Sequence, residues 1–317
     1  MKKIISLIAM VIMLLSSTNA FAASKKSIVC ETYPEYDWVM NILGEQTAAF
    51  DVILLQNNGT DLHSYQPSVK DIARISSSDL FIYVGGESDK WVEKVISNSR
   101  NKNQIVVNMM EALGDKVREE EIVEGMQAEE DDEESEDEAE YDEHIWLSLK
   151  NAIVLTNIIS EKIQRLDSAN NQFYKKNTEN YVSQLSALDE EYIKTISTSN
   201  KKTILFGDRY PFRYLSDDYG MKYYAAFLGC SAESEASFET IVFLAKKLDD
   251  LDLDAVLTIE KSDKKIAKTI VANTKSKNQQ ILELDSMQSI TQNDIINGRT
   301  YLSAMKNNLQ VLKASLK

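Results

Sequence analysis

Short apolar runs alternate with longer amphipathic stretches twice along the chain, and this alternation limits the possible folds most strongly. In the first half the apolar runs lie at 27–33, 50–55, 79–86 and 104–109. In the second half they lie at 201–208, 223–229, 255–260 and 280–285. Strands that alternate with helices form parallel sheets whose faces are covered by the helices. The sequence therefore predicts an α/β protein with two lobes, each a parallel sheet flanked by helices.

The segment between the two sets predicts a long rigid helix that joins the lobes. Residues 145–199 contain no Gly or Pro, and their apolar residues recur at helical spacing. Asp167 and Ser168 could interrupt this helix because both residue types favour helix ends. We predict an N-terminal lobe over 23–144, a helical strut over 145–199 and a C-terminal lobe over 200–317.

The first 22 residues predict a secretory signal peptide. They combine a basic start, an apolar run too short to span a bilayer and the cleavage-site pattern Ala20-Phe21-Ala22. An uncleaved membrane anchor is the alternative. We expect an exported protein in the periplasm or at the extracellular face of the cytoplasmic membrane.

Acidic residues are concentrated in one predicted loop. The chain holds 50 Asp and Glu against 35 Lys and Arg, for a net charge of −15. Sixteen of these acids lie in the acidic loop 119–143, so 34 acidic residues face 35 basic ones elsewhere. The charge excludes nucleic acid as a partner. The loop is either a solvated segment without chemistry or an electrostatic funnel that concentrates cations near His144.

Both histidines of the chain stand in predicted loops beside carboxylates. Asp61 precedes His63, and Glu143 directly precedes His144. Ligands of open α/β sheets bind beyond the carboxyl ends of strands, where Asp285 also lies. Two imidazoles that converge with one or two carboxylates suit Zn²⁺ or Mn²⁺. Each histidine taken alone also fits an ordinary hydrogen-bonded loop residue.

The two cysteines allow three interpretations. Cys30 and Cys230 could form one disulfide in an oxidising compartment, or they could be two buried free thiols. A thiolate metal ligand is less favoured, because neither cysteine belongs to a C-x-x-C pair.

Catalytic motifs are missing from the sequence. The chain has no G-x-S-x-G elbow, no G-x-x-x-x-G-K-[ST] phosphate loop, no H-E-x-x-H, and no G-x-G-x-x-G after its first strand. We therefore expect a binding protein rather than an enzyme.

Several separated segments resemble the zinc- and manganese-type substrate-binding proteins of bacterial ABC importers. GTDLHSYQPS at 59–68 is similar to the first ligand loop of that family, and YDEHIWLSLKNA at 141–152 is similar to the second. LDSM at 284–287 resembles the segment that supplies a carboxylate ligand. The likeness runs from about Ser27 to the C-terminus.

The resemblance implies four metal ligands in this chain. His63 and His144 match the histidine ligands, and Asp285 matches the carboxylate. The third ligand position of the family holds Arg209 here, and a guanidinium cannot donate a lone pair. We therefore assign Asp208 to this role, with two reserve carboxylates further along the chain, Glu233 and Glu235.

The resemblance also implies a function. We expect a monomer that captures a divalent transition metal in an interlobe cleft and delivers it to an ABC permease in the membrane. Zn²⁺ is favoured over Mn²⁺, because most nitrogen-containing sites bind zinc more tightly. The alternative is a surface adhesin or interaction protein on the same scaffold, with a structural metal.

Overall fold

The computed structural model describes residues 25–127, 140–231 and 235–317. The predicted signal peptide (1–22), the middle of the acidic loop and Glu233 lie outside the described residues. None of the described helices combines the length and the hydropathy that crossing a bilayer requires.

The first lobe is built on a parallel sheet of four strands in the order β2-β1-β3-β4. Its strands are β1 (Lys26–Cys30), β2 (Phe50–Leu54), β3 (Leu80–Tyr83) and β4 (Ile105–Asn108). Its helices are α1 (Tyr33–Leu43), α2 (Val69–Ser77), α3 (Lys90–Ser97) and α4 (Met109–Leu113). In register, Ile28 of the central strand pairs with Val52 on one side and Leu80 on the other. Helices cover both faces of a parallel sheet, which is why such strands consist of continuous apolar runs.

Two helices connect the lobes, α5 (Leu149–Leu166) and α6 (Asn171–Thr198). The predicted long helix is α6, with 28 residues, and the interruption lies where it was predicted, since α5 ends before Asp167. The Asp167 carboxylate accepts a hydrogen bond of 2.6 Å from the Tyr174 hydroxyl. Beyond this turn the chain folds back, so that Ser160 Oγ lies 2.6 Å from Thr178 Oγ1.

The second lobe repeats the sheet of the first, because its parallel strands follow the order β6-β5-β7-β8. They are β5 (Thr203–Tyr210), β6 (Lys222–Leu228), β7 (Ala255–Ile259) and β8 (Gln280–Leu284). The helices are α7 (Arg213–Tyr219), α8 (Phe238–Asp250), α9 (Lys265–Ala272), α10 (Gln292–Ile296) and α11 (Tyr301–Ser315). The predicted two-lobe α/β architecture is thus confirmed.

One continuous apolar core runs through both lobes and the connecting helices. Tyr301 of α11 packs edge-on against Trp38 of α1, with ring centroids 5.4 Å apart, and its hydroxyl donates 2.6 Å to the Trp146 carbonyl. The Tyr192 hydroxyl of α6 donates 2.7 Å to the Met305 carbonyl. The last helix therefore links the second lobe to the first through buried contacts.

Candidate metal centre

His63 is positioned by a tight turn beyond β2. The turn, Leu62–Ser64, is a single 3₁₀ turn, and Asp61 caps it by accepting the His63 backbone N–H at 3.0 Å. Asp and Asn commonly close such turns with their own side chains. The sequence T-D-L-H therefore fixes the local geometry of this histidine.

His144 is held in the same way at the other site loop. Asp142 Oδ1 accepts the His144 backbone N–H at 2.8 Å and also lies 2.9 Å from Nδ1 of the ring. A 3₁₀ turn, Ile145–Leu147, follows directly, and the ring is fully buried. Burial lowers the pKa of His144, but the charge and hydrogen bond of Asp142 outweigh it, so that the net shift is upward.

The structure brings the two histidine rings together. Nε2 of His63 lies 3.2 Å from Nε2 of His144, and the ring centroids are 5.1 Å apart. The residues are 81 positions apart in sequence and come from different loops of the first lobe. Both can therefore contact one ion.

Carboxylates decide which nitrogen of each ring faces the other ring. His63 Nδ1 lies 3.2 Å from Glu143 Oε2, and Ser88 donates to Glu143 through its backbone N–H at 2.8 Å and its hydroxyl at 2.6 Å. A carboxylate only accepts, so Nδ1 of each ring carries a proton, and Nε2 is the nitrogen that offers a lone pair to a metal when the ring is neutral. In the metal-free protein the two Nε2 atoms lie within hydrogen-bond distance, so that one ring can donate a proton to the other. A cation that displaces this proton would bind both nitrogens.

Arg209 reaches the same region from the second lobe as a cation. Its guanidinium forms an ion pair with Asp61, the residue that caps the His63 turn. Burial raises the pKa of Asp61, but the positive charges of Arg209 and His63 lower it by more, so that the net shift is downward. Arg209 therefore links the lobes and cannot serve as a ligand.

The two predicted carboxylate ligands make other contacts. Asp208 Oδ1 accepts the backbone N–H of Arg209 at 2.9 Å, and burial raises the pKa of Asp208. Asp285 forms an ion pair with Arg299, and its Oδ1 accepts the Met287 N–H at 2.9 Å. Of the two reserve residues, Glu235 is exposed and Glu233 is outside the described residues.

Cys230, from the second lobe, places its sulphur near the ring nitrogens of both histidines. Across residues 25–127, 140–231 and 235–317, one group of three His, Cys, Asp or Glu side chains places its donor atoms within 4.8 Å of one another, namely His63, His144 and Cys230. Cys30 is buried in β1, and both cysteines are free thiols. Sequence reasoning ranked a thiolate ligand low, although Cys230 follows the carboxyl end of β6, where ligands were expected.

Gly229 lets the segment that carries Cys230 approach His144 closely. A methyl group at Gly229 would lie 3.0 Å from Cε1 of the His144 ring and 2.9 Å from the Tyr210 carbonyl oxygen. Real side chains seldom tolerate such contacts. Because Gly229 has no side chain, the end of β6 can lie directly against the His144 ring.

A cavity of about 360 Å³ lies beside the site between the lobes. Asp61 and Ser64 line it from the first lobe, and Asp208, Arg209 and Phe227 line it from the second. The site therefore adjoins an interlobe cleft, as the sequence predicted.

The chain is similar in sequence to proteins that are named for zinc binding. It is 29% identical over 319 residues to the zinc-binding lipoprotein AdcA of Streptococcus pneumoniae, a match that covers 99% of this chain and 61% of AdcA. The chain thus spans about three fifths of that relative. It is 28% identical over 316 residues to the high-affinity zinc uptake system protein ZnuA of Bacillus subtilis, covering 95% of this chain and 92% of that protein.

The fold agrees with these sequence matches. The crystal structure of the Zn(II)-bound ZnuA-like domain of Streptococcus pneumoniae AdcA has a TM-score of 0.71 and 26% identity, and the match covers 92% of this chain and 99% of that domain. The model of the family "ZnuA: Zinc-uptake complex component A periplasmic" matches residues 28–315. The chain belongs to this zinc-uptake family.

Proposed function

We propose that this protein captures a zinc ion outside the cytoplasm and delivers it to an ABC permease. The observation that carries the proposal is the pair of Nε2 atoms 3.2 Å apart, each ring being fixed by a carboxylate at Nδ1. Metal-binding histidines in proteins almost always donate their other N–H in this way. Membership of the zinc-uptake family supports the same cargo and the same kind of partner.

Zinc fits this site better than manganese. Neutral imidazole nitrogens suit zinc, whereas manganese prefers carboxylate, carbonyl and water oxygens. The nearest carboxylates, Asp142 and Glu143, are occupied as acceptors from the ring Nδ1 atoms. The structural zinc sites of proteins are usually four-coordinate. We retain Asp285 and Asp208 as the predicted oxygen ligands, of which Asp285 would have to leave Arg299 to bind.

The test is metal binding by purified protein that has been stripped of metal. Zinc at about a thousandfold excess over its Kd should stabilise the fold by about 4 kcal/mol. His63→Ala or His144→Ala should weaken zinc binding by at least about a hundredfold, because replacing even an outer partner of a ligand costs about 10- to 100-fold. Ser64→Ala, on the same turn as His63 but without a nitrogen donor, is the matched control. Zinc binding that survives both histidine substitutions would refute the proposal.

A transport measurement separates delivery from mere binding. Cells that depend on this protein should lose zinc uptake when they carry His63→Ala and keep it with Ser64→Ala. An adhesin with a structural metal predicts instead that adhesion is the lost activity and that uptake is unchanged. Unchanged zinc uptake in the His63→Ala strain would therefore favour the adhesin.

A further inference from the structure

We propose that Cys230, in place of Asp208, is the third metal ligand, so that two imidazoles and one thiolate bind the ion and Asp285 is left as the fourth ligand. The inference rests on the proposed function, since it assigns a further ligand to the same zinc site. It also narrows the class of cargo to divalent cations that form bonds to thiolate sulphur.

The geometry supports a shared ion. The donor atoms of His63, His144 and Cys230 all lie within 4.8 Å of one another. Zinc bonds measure about 2.3 Å to sulphur and about 2.0–2.1 Å to nitrogen, so two ligand atoms on one tetrahedral ion are separated by less than about 4.5 Å. The three side chains thus need only small adjustments to enclose one ion.

In residues 25–127, 140–231 and 235–317, Cys230 is the second-lobe side chain whose donor atom groups with both histidines. Arg209 stands nearby but is paired with Asp61 and carries no lone pair. Cys230 is a free thiol, and Gly229 before it gives the chain room to reach His144. Each histidine is held by a carboxylate, since Glu143 lies against His63 and Asp142 lies against His144. Glu120 accepts the S–H of Cys230 in the metal-free protein and has to release it when the sulphur binds a metal.

Binding by sulphur requires an exchange of bonds. The S–H bond of Cys230 breaks, a sulphur–metal bond forms, and the proton leaves to solvent. No electrons are transferred. Thiolate favours zinc and other sulphur-seeking ions over manganese, which prefers oxygen ligands. The thiol should thus exclude manganese more strongly than two histidines and carboxylates would.

Cobalt(II) is the probe that reports sulphur directly, because thiolate coordination produces an intense near-ultraviolet charge-transfer band. Metal-free wild type and Cys30→Ala should both show this band on cobalt titration. Cys230→Ala should lack it while still binding cobalt through the histidines. Cys30→Ala is the matched control, since it removes the other free thiol of the chain from the core of the first lobe.

A selectivity measurement gives a second readout. Cys230→Ala should weaken zinc binding by at least about tenfold and leave weak manganese binding within about threefold of wild type, because manganese gains little from sulphur. Cys230→His should restore zinc binding without the charge-transfer band. Thermal unfolding of each variant with chelator confirms that it is folded.

The outcomes separate this inference from the proposed function. Wild type that binds zinc through His63 and His144 but shows no cobalt charge-transfer band would overturn the thiolate assignment and leave the function intact. A band that persists in Cys230→Ala would also overturn it. Failure to bind zinc at all would overturn both.

Discussion

The two lobes share one strand order but contribute to the site in different ways. The first lobe supplies both imidazoles, each already fixed by a carboxylate at Nδ1. The second lobe supplies a cation at Arg209 and a thiol at Cys230, while Asp285, its predicted carboxylate, is held by Arg299. In the proposed site, the first lobe holds both imidazoles in place before a metal binds. The second lobe would add the ligand that selects the ion.

Two buried acids, Glu260 in the second lobe and Glu35 in the first, differ in their hydrogen bonding. In the second lobe, Glu260 is buried but accepts hydrogen bonds from Ser286 N at 2.7 Å, Ser286 Oγ at 2.9 Å and Gln288 N at 3.1 Å. In the first lobe, burial raises the pKa of Glu35 from its ordinary value of 4.5 to about 8, despite its capping hydrogen bonds with Thr32. Ionised Glu35 is therefore a cost to the folded first lobe.

The largest expected effect is on the pH dependence of stability. Between pH 4.5 and about 8, folded Glu35 keeps a proton that the unfolded chain has lost, so the free energy of unfolding falls as pH rises. Glu35→Gln should remove this loss and stabilise the metal-free protein by about 4 kcal/mol at pH 8, with little change at pH 4.5. Gln keeps the capping role. Urea unfolding at both pH values measures the difference.

Glu260→Gln is the matched comparison from the second lobe. It should destabilise the protein at pH 8 by about 2 kcal/mol, since a well-bonded carboxylate loses charge-assisted hydrogen bonds. If both substitutions shift stability in the same direction at pH 8, the contrast between Glu35 and Glu260 is wrong.

The next largest effect concerns the carboxylates that fix the histidines. Asp142→Asn should weaken zinc binding by about 10- to 100-fold, because a neutral amide holds the Nδ1–H of His144 less firmly. Titration calorimetry of the metal-free variants provides the measurement. Glu143→Gln should have a similar effect through His63, whereas exposed Glu45→Gln should have none. Equal affinities for all three variants would show that the first lobe is not organised by these acids.

The interlobe ion pair should have an intermediate effect. Arg209→Gln leaves Asp61 without its partner and should destabilise the metal-free protein by about 1 kcal/mol, since the pair is partly exposed. The double variant with Asp61→Asn should recover part of this loss in a double-mutant cycle. Additive losses would mean that the two residues do not interact across the cleft.

The smallest effect distinguishes the two predicted oxygen ligands. Asp285→Asn should weaken zinc binding by about fivefold to tenfold, because part of its binding energy is spent in separating it from Arg299. Asp208→Asn should change zinc affinity by less than about threefold, since Asp208 already accepts the Arg209 N–H. If calorimetry shows that Asp208→Asn weakens zinc binding more than Asp285→Asn does, Asp208 rather than Asp285 is the oxygen ligand.

Much of the site was accessible to sequence reasoning because it is built from short-range contacts. Asp61 and Asp142 each stand two residues before a histidine and accept its backbone N–H, which is a local turn pattern. The position of Cys230 beyond β6 was equally readable, but its isolation from any second cysteine argued against a metal role. The pairing of Arg209 with Asp61, 148 residues apart, had no local signal.

The sequence by itself determined the two parallel sheets, the helix break at Asp167 and the turns that carry His63 and His144. These features depend on apolar periodicity and on side chains that bond to their own neighbouring backbone. Only the tertiary structure decided that the two Nε2 atoms face each other and that Cys230 and Arg209 meet them from the other lobe. The approach of the lobes depends on packing of α11 against α1 and α6, and such contacts between distant segments leave no repeat in the sequence.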